Sequence, residues 1–213
     1  MYQPPHFRED RLELQHALMR AHPLATLVTI EGEALTANHI PFLIEPSLSA
    51  FGTLHAHVAR PNPVWREADG REALVIFQAS ESYITPSWYE TKRETGKVVP
   101  TWNYAVVHAH GRLRTIDDET WIRDQIERLT RLKESVRREP WQVDDAPAPF
   151  IAGQLKGIVG IEIEVARIEG KWKVSQNRPE ADRHGVIEGL RGESDAAAPG
   201  MAELVETFGR LKR

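Results

Sequence analysis

Four short segments of this chain hold the side chains with the greatest chemical reach. His55-Ala-His57 is one, and Arg60-Pro-Asn62-Pro63 just after it is another. Arginine offers a planar, permanently charged fork of donors that suits phosphate. A chain leaving a strand at Arg60 also frees backbone N–H groups for an anion at the start of a helix near Pro63. The plainer alternative is that Arg60 pairs with a nearby acid. A third segment, Tyr83 to Tyr104, packs three Tyr, two Trp and two Pro into one short span. Rings with polar handles at that density point to a flat apolar ligand or a subunit interface rather than core filling. In the fourth, Lys171-Trp-Lys173-Val-Ser-Gln176-Asn-Arg178, three cations flank an indole. They suit the edge of an anionic ligand, or a solvated turn with Trp172 tucked inward.

Other chemistries are poorly served. On a strand, residues i and i+2 share a face, so His55/His57 and His108/His110 could each offer two imidazoles to a metal. No third ligand stands at a compelling spacing, and hydrogen-bonded or surface histidines are the expectation, with no metal. The chain has no cysteine, which removes disulfides, thiolate catalysis and iron–sulfur clusters. No Gly-x-Ser-x-Gly, His-Glu-x-x-His or P-loop pattern occurs. His39, His57 and Tyr104 are acid–base candidates by type alone, and no catalytic residue is assigned.

The 27 basic and 31 acidic side chains among 213 residues leave a formal charge of −4. A binder of phosphate backbones usually carries a basic excess. Neither composition nor a helix-turn-helix supports direct DNA contact here. No apolar signal core and no run of about 18 apolar residues is present, so a soluble cytoplasmic protein without membrane contact is expected.

The elements that must position these residues follow from periodicity. Helices are predicted over 10–22, 117–138, 179–190 and 201–211, with Asp124–Arg128 and Glu127–Arg131 as i,i+4 ion pairs. Strands are predicted over 24–30, 34–44, 50–58, 73–79, 98–113 and 158–168, with a loop over 141–149. Six strands without strict strand–helix alternation predict a mainly β, α+β fold: an antiparallel split β-barrel with peripheral helices. Residues 1–191 would form the barrel domain, and 192–213 a linker and C-terminal helix packed on it.

Ala37-Asn-His-Ile-Pro-Phe42, Leu54 to Pro63, Tyr83-Ile-Thr-Pro-Ser-Trp-Tyr89, Val99-Pro-Thr-Trp-Asn-Tyr104 and Lys171 to Arg178 together carry a resemblance. In that order the chain resembles the PaiB-type, FMN-binding negative transcriptional regulators, split-barrel flavoproteins related to pyridoxamine phosphate oxidases. The resemblance implies a homodimer holding FMN in a cleft between two barrels. It implies Asn38, His39 and Ile40 near the ring system, with Arg60 and Asn62 on the ribityl phosphate. His57, Trp102, Asn103, Tyr104, Gln176 and Arg178 would complete the cofactor pocket. The function implied is regulation through bound flavin. The alternatives are an FMN-dependent oxidoreductase on a small substrate and a haem-binding member of the same superfamily.

Overall fold

In a computed structural model, which describes residues 1–209, alternating apolar residues build an antiparallel sheet with helices around it. The chain runs β1 (Arg8–Glu9), α1 (Leu12–Ala21), β2 (Leu24–Glu31), β3 (Ala34–Pro41), β4 (Leu43–Glu45), β5 (Thr53–Ala59) and α2 (Val64–Glu67). It continues through β6 (Glu72–Ile84), α3 (Glu90–Thr95), β7 (Thr101–Ile116), α4 (Glu119–Glu134) and α5 (Ala148–Lys156). It ends with β8 (Ile158–Lys173), α6 (Glu180–Gly192) and α7 (Ala198–Phe208). The strand order is β3-β2-β6-β7-β8-β5-β4, with β1 added on β8. The chain divides into two compact units, and β6, β7 and β8 run through both. The first unit comprises residues 1–18, 78–107 and 169–213, and the second 19–77 and 108–168.

The second unit holds the β2–β3 hairpin, whose register runs from Leu24↔Pro41 to Glu31↔Ala34. Ala25, Leu27 and Thr29 of β2 point inward in the period of two that one buried sheet face requires. β5 differs: Thr53 to Ala56 are all buried, so this strand is covered on both faces. Under α4 and α5, Ile122, Val143, Ile151 and Leu155 form a compact apolar cluster. Gly160 of β8 is required there, because a Cβ would lie 2.5 Å from the Trp121 ring.

In the first unit, α6 presents Val186, Ile187 and Leu190 to Met201, Ala202 and Val205 of α7. Gly189 lets the Trp88 indole lie on α6, since a Cβ at that position would come within 2.3 Å of the ring. Trp172 is buried and meets Phe208 edge-on at 6.2 Å.

Several departures from the sequence reading have local causes. The expected 34–44 strand breaks at Phe42, whose N–H leaves the ladder to donate to Pro23 O at 2.8 Å. β6 and β8 outrun their expected ends at 79 and 168. α5 replaces part of the expected loop; its two buried residues, Ile151 and Leu155, are too few to reveal a helical period. α3 has no buried residue and so no apolar face to read. Glu127 does not pair with Arg131: it turns back to Arg123 at 2.8 Å, whereas Asp124–Arg128 forms at 3.3 Å. Of the helix expected over 201–211, the final two positions lie outside the described residues.

Candidate functional site

In the second unit, β3 and the turn after β5 are joined side chain to side chain. Asn62 Nδ2 donates to Asn38 Oδ1 at 2.8 Å, and Asn62 Oδ1 accepts from the Val64 N–H at 3.0 Å. The backbone donor expected to face an anion is therefore capped internally. Arg60 is committed too. It grips Asp117 through two nitrogens at 2.6 and 3.0 Å and donates to the carbonyls of Lys156 at 2.8 Å and Ile158 at 3.0 Å. The pairing raises the Arg60 pKa and lowers that of Asp117, each through their hydrogen bond first. His39 is exposed, with Nδ1 3.2 Å from Thr26 Oγ1, and Ile40 beside it is buried. His57 Nδ1 donates to Gln125 Oε1 at 2.7 Å, tying β5 to α4.

The neighbouring His55 is buried in that unit against Trp121, ring centroids 5.0 Å apart. Its Nε2 comes within 3.2 Å of Glu162 Oε2 without an aligned hydrogen bond. Burial holds this imidazole below its ordinary pKa. Sequence reasoning weighed His55 only for metal; its burial is a packing outcome that the motif does not encode. The rings of His108 and His110 lie 6.4 Å apart along β7.

The first unit holds a different arrangement, and the aromatic segment divides within it. Tyr89 is buried, with its hydroxyl lacking a hydrogen-bond partner, and Trp88 is packed on α6. Burial pushes the Tyr89 phenol up. Tyr83 and Trp102 turn outward, 49% and 54% exposed, and meet edge to face at 5.9 Å. Asn103 is buried and donates to Ser175 Oγ at 2.9 Å. Gln176 closes its own turn, accepting from Val174 N–H at 2.7 Å and donating to Trp172 O at 2.5 Å.

Three cations gather in the same unit. Lys173 Nζ donates to Thr101 Oγ1 and to the Trp102 carbonyl. Lys171 Nζ lies 5.3 Å from the Tyr104 ring centroid, and Arg178 lies over Tyr89 at 4.6 Å. Among the described residues no carboxylate forms an ion pair with Lys171, Lys173 or Arg178. Burial first, then the charges of Lys171 and Arg178, hold the Lys173 ammonium below its ordinary pKa. Such a set stabilises an anion, because a negative group there offsets both the repulsion and the desolvation.

The family model described as "Putative FMN-binding domain" matches residues 1–167. The chain belongs to this FMN-binding family. Among its relatives, the protease synthase and sporulation protein PAI 2 of Bacillus subtilis is 33% identical over 207 residues, covering 97% of each chain. Protein AN0679 of Emericella nidulans is 35% identical over 240 residues, with 96% of each chain covered. Among solved structures, the FAD and heme binding protein of Mycobacterium smegmatis is similar with a TM-score of 0.57 at 16% identity, over 77% of this chain and 71% of that one. The flavocytochrome Anf3 of Azotobacter vinelandii gives 0.56 at 12% identity, over 78% of this chain and 69% of its own. The fold expected from the sequence, an antiparallel split-barrel type with peripheral helices, is the fold this family has. No helix among the described residues is long and apolar enough to cross a membrane.

Proposed function

We propose that this chain is a homodimeric FMN-binding regulator in which Lys171, Lys173 and Arg178 hold the phosphate while Trp102 and Tyr83 wall the flat ring system. The observation that carries this reading is the group of three cations without a carboxylate partner among the described residues, in the same unit as two exposed, mutually packed rings. FMN needs an anion grip and a flat apolar wall, and the donor set fits both needs. When bound, FMN supplies redox chemistry; the chain's residues orient it and neutralise its charged tail. Dimerisation is supported by Leu24, Ile30 and Leu35, exposed at 67%, 50% and 77% on the β2–β3 hairpin. Apolar residues on an outer hairpin favour burial against another copy. A regulatory role is supported by similarity to a relative named for protease synthesis and sporulation.

The test combines the absorbance spectrum of the purified protein, fluorescence titration with FMN and mass measurement in solution. A yellow dimer whose FMN affinity falls in Lys173→Ala and Arg178→Ala is the expected result. A colourless single copy that ignores added FMN would overturn the reading. Full affinity in both variants would instead move the phosphate away from these cations.

A further inference from the structure

In the second unit, a groove of about 420 Å³ runs between β4 and the last turns of α4, lined by none of the residues assigned to the flavin. Its volume lies within the roughly 300–1,000 Å³ of small-molecule sites. Phe42, Leu43, Ile44 and Leu132 give it an apolar floor, and Arg20, Arg128 and Arg131 supply its positive charge. Glu45 is the single acid in that lining, and it is already paired with Arg128, which also holds Asp124.

The side chains of Arg20 and Arg131 make no hydrogen bond or ion pair among the described residues. The cause for Arg131 lies in α4 itself. Glu127, one turn before it, faces Arg123 at 2.8 Å. Glu134, on the other side, pairs with Arg137 at 3.4 Å and accepts from the Trp141 N–H at 3.1 Å. Both acids able to neutralise Arg131 along the helix are thus engaged elsewhere. Two guanidinium forks are left above an apolar surface, and each suits a carboxylate bidentately.

We propose that this groove binds a small amphipathic anion, its apolar chain lying on Phe42, Ile44 and Leu132 and its carboxylate held by Arg20 and Arg131. Charge complementarity selects this occupant: an uncharged apolar molecule would leave both guanidiniums without partners. A cation would meet net repulsion.

The test uses decanoate as the probe, titrated calorimetrically into the full chain, with decanol as the uncharged control. Decanoate binds at one site per chain, and decanol at least about tenfold more weakly, the scale of a charge-assisted contact. The double variant Arg20→Gln/Arg131→Gln keeps its circular dichroism spectrum and loses decanoate affinity by about tenfold or more. Leu132→Asp, which removes apolar floor and adds negative charge, weakens decanoate in the same direction. Equal binding of decanoate and decanol, or unchanged decanoate affinity in the double variant, overturns the proposal. So does a groove covered by a second copy, read as decanoate saturation that occurs only when the solution mass falls from two copies to one. FMN titration of the same variants is unchanged, which separates this site from the flavin reading.

Discussion

Two groups of cations, one in each unit, meet opposite surroundings. In the second unit Arg60 is locked by Asp117 and two carbonyls, whereas in the first Lys171, Lys173 and Arg178 stand together without an acid among the described residues. The same residue types thus serve architecture in one place and remain available for a ligand in the other. What distinguishes them is the surrounding donors and acceptors, and not the motif in which they occur.

The sharpest way to break this comparison is to remove charge from the first unit. Lys173→Ala/Arg178→Ala should lower FMN affinity by at least on the order of 100-fold, since each charge-assisted contact contributes roughly 1.5–3 kcal/mol. Fluorescence titration reads this directly, and affinity within a few-fold of the parent would refute the assignment. Next in size is the packing that supports that unit. Gly189→Ala would drive a methyl into the Trp88 ring and should cost about 1–3 kcal/mol of stability, measured by urea unfolding.

A smaller effect comes from His55 in the second unit. Its pKa is held below the ordinary value by burial, so the unfolded chain binds the proton more readily. The stability it contributes is complete above the ordinary histidine pKa and declines as pH falls toward the lower folded value. The urea midpoint should therefore fall between pH 7.5 and pH 5.5, and His55→Phe should flatten that slope. A parallel slope in the variant would clear His55 of the effect. The smallest change is expected of Arg60→Ala: FMN affinity stays within about twofold of the parent, the size of a lost surface contact, while the melting temperature drops. A large loss of FMN with unaltered melting would return the phosphate to the second unit.

Much of the fold was legible because β2 buries every second residue from Ala25 to Thr29, β8 alternates from Ile161 to Val165 and α4 carries a long apolar stripe. α3 was hidden: Glu90 to Thr95 have no apolar face, and their anchor is Asp182, which accepts from Thr91 N–H at 2.9 Å and Thr91 Oγ1 at 3.0 Å. A contact between positions 91 residues apart leaves no periodic trace. The site was legible as a set of residue types and opaque as a set of allegiances. Arg60 and Lys173 look alike in the sequence as cations where a strand gives way to a turn. Asp117 distinguishes them, and it sits 57 positions from Arg60.

The indole seated on the bare helix turn at Gly189 and Gly185 also constrains how this chain can diverge. The Trp88 backbone carbonyl would collide with any side chain at 185, as the Trp88 ring would at 189. A descendant lineage that enlarges position 189 must reshape the side chain at 88 in the same step, so those two sites should drift together, whereas no replacement at 88 makes room at 185 and that glycine should stay fixed.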